Sequence, residues 1–400
     1  MPDFMIIIFV LIGLAAVGFG IWGVLRHQYV QSLRAKGWEF ITSPSIAISY
    51  GLNVPPFGQG FERRVDDQLL GKAKDGTPFT AFKYASTQWR SSGYAVAMPL
   101  PRSLPPGTVS RAYDGGLPAL GEPLTIGEFT ASAPDQGYAR VLLDAVGPHL
   151  QGPYRVTVDH NNLTLVDAPR EADGLERAIE QLAAIRAALL ASTAAQLTWA
   201  EPPAQLSFYE RPEWVYLPQA DSYLGAVNHT GGGFDHEAHD VILADNAGLP
   251  FVRLRHTWKT RHTRTDSEGR SSTEIRNHEE ILCEFRTTFP FHGISVNWGL
   301  FGRSQKFEWE DFNRRFTVRT DHPKFGSDVI HQRQMEYLMQ TNAPKFQIAD
   351  GVIRVGDGGD WLPADIDWAS KFLHGFFGRV PDFVWQQLGA WPRPIAELEA

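Results

Sequence analysis

Four side chains that can bind a metal ion lie close together in NHTGGGFDHEAHD, residues 228–240. They are His229, His236, His239 and Asp240, and imidazole nitrogens and carboxylate oxygens are ligands that zinc takes from proteins. A metal-dependent hydrolase would use such a set to hold the ion and activate a water molecule. The helical His-Glu-x-x-His motif is absent, because the second histidine comes one residue too early.

The same histidines allow a second interpretation. Residues 234–243 read as a strand, and successive side chains of a strand point to opposite faces of the sheet. His236 and His239 would then face apart and could not share one ion. This geometry favours polar residues on a solvated strand, so the metal site is the alternative hypothesis and no cofactor is expected.

A run of cations further along the chain forms a second candidate surface. The residues that could bind a ligand there are Arg253, Arg255, Lys259 and Arg261. On a strand the first three share one face, which could bind anionic lipid headgroups or an acidic partner. Glu279 and Glu280 follow on the predicted returning strand, and they provide the alternative of ordinary ion pairs across the hairpin.

Other chemistry is limited by what the sequence lacks. It contains no nucleophile elbow, phosphate-binding loop or dinucleotide fingerprint, so the catalytic residues stay unknown and a non-enzymatic role is favoured. The net charge of −8 argues against general nucleic-acid binding. Cys283 is the single cysteine, which excludes an intramolecular disulfide and a cysteine-based metal site.

The N-terminal segment Phe4–Leu25 contains no charged residue and is long enough for a membrane-spanning helix. Arg26 and His27 follow it where a signal peptide would have small residues, so residues 1–30 are interpreted as an uncleaved anchor. Cations are more frequent on its C-terminal side. This asymmetry predicts a single-pass protein of the cell membrane, with the N-terminus outside and the body in the cytoplasm.

The body reads as two copies of one pattern, which is hairpin, strand, helix, hairpin and helix. Gly60-Phe61 and Gly233-Phe234 open the copies, and Phe129-Thr130 and Phe316-Thr317 resume the match. Repeat one spans residues 37–193, a proline-rich linker covers 200–212, repeat two spans 213–377, and an aromatic tail covers 378–400. The predicted fold class is α+β, with two helices packed on an antiparallel sheet in each repeat.

Several local expectations follow from this reading. Asn161-Asn162 and Asp350-Gly351 are predicted turns of the second hairpins, and Pro99–Pro123 reads as a long surface loop. Apolar side chains at helical spacing predict the closing helices; they are Leu175, Ile179, Leu182, Ile185 and Leu189 in repeat one, and Ile366, Ala369, Leu373 and Phe376 in repeat two. A short helix is expected near Pro381, packed on the core of repeat two or inserted into the membrane interface.

The strand that precedes each first helix carries a pattern of the form F-x-V-x-x-x-D. The residues that carry it are Phe316, Val318 and Asp321 in repeat two and Phe129, Ala131 and Asp135 in repeat one. Asp321 comes one residue earlier than the pattern asks, and Ala131 replaces its valine. With the anchor, this layout resembles single-pass membrane proteins of unknown function from high-GC actinobacteria. The resemblance implies an architecture and a location and no activity.

These features together predict a membrane-anchored interaction or scaffold protein that presents two related α+β domains. The expected partner is an envelope or cytoplasmic protein at the membrane, and Ala16 and Gly20 would allow two anchors to form a homodimer. The alternatives are a metal-dependent hydrolase that uses the histidines and a module that binds lipid headgroups through the basic hairpin.

Overall fold

The computed structural model describes residues 20–111, 118–265, 271–299, 304–356 and 358–395. Most of the predicted anchor Phe4–Leu25 lies outside these residues, and only 20–25 belong to them. Residues 20–34 form the described part of helix α1. No helix within the described ranges is both long enough and apolar enough to cross a membrane.

The chain divides into two compact units, residues 1–212 and 213–400. Unit 1 holds one antiparallel sheet, in the order β1-β2-β3-β4-β6-β5, with β7 paired to β4. Its strands are β1 (Glu39–Ile41), β2 (Arg64–Lys72), β3 (Pro78–Ala85), β4 (Tyr94–Arg111), β5 (Leu124–Ile126), β6 (Phe129–Ser132) and β7 (Arg155–Ala168).

Two helices pack on this sheet and form the core of unit 1 with it. They are α2 (Gln136–Val146) and α3 (Ala172–Ala191). The five apolar side chains that predict the closing helix of repeat one all lie on α3 and are buried, so this helix is confirmed. Asp135 caps α2 by accepting a hydrogen bond from the backbone N–H of Tyr138 at 2.8 Å, which stabilises the start of the helix.

The long strands β4 and β7 correct two predictions for repeat one. The loop expected at Pro99–Pro123 was wrong for its first part, because β4 runs for 18 residues through Arg111, whereas residues 118–123 belong to no strand or helix. Its prolines fall where the β4–β7 register shifts, between Pro99 and Gly107, and such irregularities do not need every backbone N–H. The hairpin expected around Asn161-Asn162 was also wrong, because β7 continues alongside β4 as a single strand.

Unit 2 holds a second antiparallel sheet, in the order β13-β12-β14-β15-β11-β10-β9-β8. Its strands are β8 (Val215–Gln219), β9 (Phe234–Asp245), β10 (Pro250–Thr265), β11 (Ser271–Arg286), β12 (Ile294–Trp298), β13 (Phe316–Arg319), β14 (Phe346–Ala349) and β15 (Val352–Val355). The hairpin predicted at Asp350-Gly351 is confirmed, because those two residues join β14 to β15.

Five described helices belong to unit 2, more than the two that the repeat pattern predicts. They are α4 (Glu310–Arg315), α5 (Pro323–Val329), α6 (Gln332–Gln340), α7 (Pro363–Gly378) and α8 (Asp382–Gln387). Helix α7 is the predicted closing helix, and α8 confirms the short helix near Pro381. In α8, Trp385 is fully buried and packs against Phe289 with ring centroids 5.2 Å apart, so this part of the tail belongs to the core.

The two sheets have a repeat-like architecture. Unit 1 pairs β1, β2, β3 and the first half of β4, then β7, the second half of β4, and β6. Unit 2 pairs β8, β9, β10 and β11, then β15 and β14, then β12 and β13. The order of pairing is the same if β4 corresponds to β11 plus β12, and β7 to β14 plus β15.

One backbone detail strengthens this correspondence. β2 and β9 each contain a β-bulge with an aspartate in the left-handed region, Asp67 at φ 52° and Asp240 at φ 51°. Each aspartate forms an ion pair with a cation on the next strand, Lys83 in unit 1 and Arg255 in unit 2. A shared bulge and a shared ion pair at the same register are specific features that composition alone does not produce.

The proline-rich segment 200–212 packs on unit 1. Phe208 is buried with its ring 5.9 Å from that of Phe61, and its carbonyl oxygen accepts a hydrogen bond from the Asn53 amide at 3.1 Å. The guanidinium of Arg63 lies over the Phe208 ring at 4.5 Å. These contacts make the segment part of unit 1, whereas the sequence suggests a linker between the two repeats.

Candidate functional site

Three histidines of unit 2 converge on one point. His236 lies on β9, His256 on β10, and His229 on the loop that precedes β9. One imidazole nitrogen from each lies within 4.8 Å of the other two. His256 is fully buried, His236 is partly buried and His229 is exposed, so the cluster opens to solvent on the side of the loop.

The position of His256 is set by Glu280, its direct partner on β11. The Nδ1 atom of His256 lies 2.9 Å from Glu280 Oε1, and its Nε2 atom lies 2.9 Å from His236 Nδ1. A carboxylate only accepts hydrogen bonds, so the imidazole proton is assigned to Nδ1. The Nε2 lone pair of His256 then points toward the other two histidines.

The loop that carries His229 is attached to the same glutamate. The backbone N–H of Thr230 donates to Glu280 Oε1 at 3.0 Å, and its hydroxyl donates to Oε2 at 2.7 Å. Gly231 lies against the rings of His256 and Trp258, and a Cβ there would come within 2.8 Å of His256 Cε1. The close approach of this loop to the sheet therefore depends on a residue without a side chain.

Aromatic rings support the cluster from the side. His256 and Trp258 are two residues apart on β10, share one face, and stack with centroids 4.7 Å apart at 19°. His278, opposite Trp258 on β11, continues the stack at 5.2 Å and 17°. Stacked rings restrict the rotation of His256, so its Nε2 atom is fixed before any ligand arrives.

Burial also shapes the protonation of this pair. Burial lowers the pKa of His256 below its ordinary value of 6.5, and this effect outweighs that of the hydrogen bond that His256 donates to Glu280, which raises the pKa. Burial alone would raise the pKa of Glu280, but the hydrogen bonds from His256 and Thr230 lower it overall. A neutral imidazole next to a charged carboxylate is the state that a divalent metal ion requires.

The structure distributes the four metal-ligand candidates from the sequence between two places. His229 and His236 belong to the cluster, and His256 completes it. His239 Nε2 instead lies 2.9 Å from the carboxylate of Glu237. Asp240 instead accepts hydrogen bonds from Tyr216 and Arg255.

The histidine-rich stretch 228–240 does not contain His256, which lies within the run of cations of the basic hairpin, so sequence reasoning missed it. The available signal was the predicted hairpin of β9 and β10, and in the structure His256 pairs with Ala238, two residues from His236. Diagonal neighbours on adjacent strands lie about 7–8 Å apart, within reach of two imidazoles. This register depends on the bulge at Asp240, because a regular hairpin continued from the Asp245–Pro250 pair would place His256 opposite His239.

The four candidate cations of the basic hairpin are mostly paired. Arg253 is 2% exposed, and it donates to the carbonyl oxygens of Asp240 at 3.0 Å and Asp360 at 2.8 Å. Burial lowers the pKa of Arg253. A buried guanidinium that binds backbone oxygens differs from the exposed contact that the sequence suggests.

The other three cations lie nearer the surface. Arg255 forms ion pairs with Asp240 at 3.0 Å and Glu279 at 3.1 Å, and Lys259 with Asp235 at 3.1 Å. Arg261 lies over the Phe234 ring at 4.9 Å. Pairing of this kind across neighbouring strands is the alternative interpretation given above for this hairpin.

Helix α1 offers a different kind of surface on unit 1. Its first described residues carry large exposed apolar side chains; they are Ile21 (57% exposed), Trp22 (65%), Val24 (58%) and Leu25 (59%). From Arg26 onward the helix contacts the body. Arg26 pairs with Asp67, the Tyr29 and Tyr94 hydroxyls lie 2.8 Å apart, and Leu33 is fully buried.

Comparison with protein-family models and with curated protein sequences found no match. One solved structure is similar in part, the mycobacterial trehalose monomycolate transport factor A, TtfA. The identity is 14%, the TM-score is 0.32, and the match covers 41% of this chain and 93% of that one. A similarity of this size carries no argument about the fold or the function of the present chain.

Proposed function

We propose that this protein is a membrane-anchored interaction protein whose helix α1 joins a membrane segment directly to unit 1. The observation that carries the proposal is the change along α1 at Arg26, from exposed apolar side chains to side chains docked on the sheet. Exposed Ile, Trp, Val and Leu on one short stretch of helix are unusual in water. They continue an uncharged sequence that begins at Phe4.

The docking determines what the anchor does for the body. Arg26 Nη1 donates to Asp67 Oδ2 at 3.0 Å, and Lys36 forms ion pairs of 2.7 Å with Asp173 and Glu176 on α3. The helix is thus attached through Arg26 and through the turn that follows its last residue. Unit 1 would therefore be held close to the membrane surface in one orientation, where it can present a surface to a protein partner in the membrane or envelope.

Membrane anchoring is tested by placing charges in the apolar segment. Leu11→Arg with Leu14→Arg would each cost about 2.5–3.5 kcal/mol at the centre of a bilayer helix. We expect the double variant to leave the membrane fraction on alkaline extraction, whereas Leu197→Arg, at an exposed position of unit 1, stays with the wild type. A double variant that remains in the membrane fraction contradicts the anchor.

The side of the membrane is tested by cysteine labelling. Cys283 is buried, and burial raises the pKa of its thiol, so the native chain should react slowly with a maleimide. Thr198→Cys adds an exposed thiol. A body in the cytoplasm predicts that a membrane-impermeant maleimide labels Thr198→Cys only after permeabilisation; labelling of intact cells would place the body outside.

The interaction role is tested by crosslinking the full-length protein in cells and identifying partners by mass spectrometry. A partner recovered in near-stoichiometric amounts from the wild type, and lost from the Leu11→Arg/Leu14→Arg variant, supports an adaptor that works at the membrane. Crosslinks only between copies of this chain would support a homodimer through the anchor. Recovery of no partner and no second copy would contradict the proposal.

The two alternatives drawn from the sequence have less support. A hydrolase needs a general base within reach of a metal-bound water, and both oxygens of Glu280 are already engaged by His256 and Thr230. A headgroup-binding surface needs exposed cations. Of the four candidates, Arg253 is buried and Arg255 and Lys259 already hold carboxylates. The hydrolase and the headgroup-binding module are therefore less well supported proposals than the interaction protein.

A further inference from the structure

We propose that His229, His236 and His256 bind one divalent transition-metal ion of the zinc type, with a fourth coordination position open to solvent. This inference is independent of the membrane anchor, because it concerns unit 2 alone. It replaces the set His229, His236, His239 and Asp240 with three residues that the fold brings together.

The distances suit such an ion. Zinc–nitrogen bonds are about 2.0–2.1 Å long, so nitrogens of a tetrahedral site lie about 3.3 Å apart. The three nitrogens lie within 4.8 Å of one another, and His236 Nδ1 and His256 Nε2 are 2.9 Å apart. The ion would separate this pair slightly and draw in His229, whose exposed side chain can change its rotamer.

The most buried ligand is already oriented for coordination. Glu280 accepts the Nδ1 proton of His256, which leaves the Nε2 lone pair directed at the centre of the cluster. A carboxylate behind a ligating histidine fixes the tautomer and makes the imidazole a stronger donor. Glu280 is itself held by two hydrogen bonds from Thr230, so the supporting arrangement is complete without a metal.

The equivalent strand positions of unit 1, which the structure describes, carry no histidine cluster. The strand registers align His236, His256 and Glu280 with Arg63, Tyr84 and Gly93. In unit 1 the Tyr84 hydroxyl donates to the Phe57 carbonyl oxygen at 2.7 Å, and its ring packs on Phe57 at 5.1 Å. An aromatic cluster satisfies this position structurally, so three histidines and a carboxylate are not required to close the fold there.

The chemistry of the donors narrows the choice of metal. Three neutral imidazoles suit Zn²⁺, Cu²⁺, Ni²⁺ and Fe²⁺ and are poor ligands for Mg²⁺ and Ca²⁺, which prefer oxygen. Only three protein ligands converge among the described residues, and one of them is exposed. A water molecule or a group from another molecule would complete the coordination on the side of His229.

The direct test is metal titration of the full-length protein in detergent after treatment with a chelator. We expect one equivalent of Zn²⁺ to bind in competition with a chromophoric chelator, and Co²⁺ to give the visible absorption of a tetrahedral site. The proposal would be overturned if the wild type bound neither ion, or bound both no more tightly than the variants His229→Ala and His256→Ala.

The variants separate ligands from neighbours. His229→Ala and His256→Ala should each weaken Zn²⁺ binding by about 100-fold or more, since even loss of a supporting residue costs 10–100-fold. Glu280→Gln should fall in that lower range. His239→Ala removes a histidine of the same strand that pairs with Glu237, and it should bind like the wild type.

Two neighbouring glycines supply a matched control for the loop. Gly231→Ala would clash with Trp258 Cδ2 at 2.7 Å and lift His229 from the sheet, whereas a Cβ at Gly232 meets nothing within 4 Å. We expect Gly231→Ala to weaken Zn²⁺ binding at least about 10-fold, as for other supporting positions, and Gly232→Ala to leave it unchanged. Equal binding by both variants would exclude His229 as a ligand.

Loss of folding is checked separately from loss of binding. His256 is buried within the sheet, whereas His229 is exposed on the loop before β9, so His229→Ala is the variant that leaves the core of the sheet in place. Hydrogen exchange of β9–β11 peptides should be the same in His229→Ala and the wild type without metal. If His229→Ala keeps wild-type exchange and also keeps wild-type zinc affinity, the three-histidine site is refuted whatever the result for His256→Ala.

Discussion

Replacement of Asp67 by asparagine should loosen the attachment of helix α1 to unit 1. Asp67 sits at the β2 bulge with its side chain 8% exposed, and it accepts hydrogen bonds from Arg26 on α1 and Lys83 on β3. The bulge turns this side chain toward both cations. The Asp67→Asn variant would keep the shape of the side chain and remove the charge that both cations need.

The expected size follows from the burial of the three groups. Removing one partner of a fully buried ion pair costs about 3–5 kcal/mol, because the remaining charge is left unpaired. Arg26 and Lys83 are 25% and 23% exposed, so they recover part of their hydration. We therefore expect Asp67→Asn to lower the free energy of unfolding of unit 1 by about 2 kcal/mol.

The stabilisation by Asp67 should depend on pH in a direction that can be stated in advance. Burial alone would raise the pKa of Asp67, but Arg26 and Lys83 lower it overall, below its ordinary value of 3.8. A carboxyl group with a lowered pKa stabilises the fold at pH values above its ordinary pKa, and this contribution is lost as the pH falls through the folded pKa. The difference between wild type and Asp67→Asn should be full at pH 7 and should shrink in acid.

The assay must report on unit 1 alone, because the chain has two units. A urea titration followed by a short hydrogen-exchange pulse, read by mass spectrometry on β2, β3 and α1 peptides, meets this need. Asp66→Asn is the matched control, because Asp66 is the adjacent residue, is 60% exposed, and forms a long ion pair of 3.9 Å with Arg64. Its effect should stay within about 0.5 kcal/mol. Equal effects of the two variants, or a difference that stays at its full size as the pH falls through the acid range, would refute the reasoning.

Three further predictions concern unit 2. Arg253→Glu should lower the free energy of unfolding of the unit by about 3–5 kcal/mol, because it buries an unpaired charge. Lys259→Glu, at a half-exposed position, should change it by less than about 1 kcal/mol, and thermal unfolding measures both variants. Trp385→Ala should cost about 3–5 kcal/mol and Trp391→Ala about 0.5 or less, measured by urea unfolding, because only the first is buried. If zinc binds as proposed, a sample with free Zn²⁺ at about 100 times Kd should lose about 2.7 kcal/mol of the stability of unit 2 when a chelator removes the ion. The loss would be seen as a lower melting temperature.

The parts of the fold that the sequence predicts are those with a strong local period. Helix α3 follows from the spacing of Leu175, Ile179, Leu182, Ile185 and Leu189, and all five face the core. The start of α2 follows from Asp135, whose side chain caps it. These features depend on residues within one or two turns, and such information is fully contained in a short stretch of sequence.

Long-range pairing explains the failures. Prolines between Pro99 and Gly107 indicate a loop when they are read locally, yet β7 provides a partner across the whole length of β4 and tolerates bulges there. Likewise Asn161-Asn162 suits a turn, but β4 continues beside it, so β7 has no reason to reverse. The sequence of one β-strand does not show where its partner strand ends. The length of the partner strand decides whether the chain turns or stays extended.

The histidine site was predicted only in part. His229 and His236 are close in sequence and were found, whereas His256 and Glu280 reach the site through the registers of β9–β10 and β10–β11. The alternation argument correctly separates His236 from His239, and the same argument places His256 and Trp258 together on one face. What sequence reasoning lacked was the bulge at Asp240, which shifts the register between Arg253 and Arg255 and so places His256 opposite Ala238.

The bulged aspartates show how one repeated device can serve two purposes. Asp67 and Asp240 share a backbone conformation and a cation on the next strand, but their remaining partners differ. In unit 2 the partner is the Tyr216 hydroxyl on β8, within the sheet. In unit 1 it is Arg26, which comes from outside the sheet on helix α1. The bulged aspartate therefore binds groups of its own sheet in unit 2, whereas in unit 1 it also holds helix α1. That helix continues the apolar segment proposed to enter the membrane.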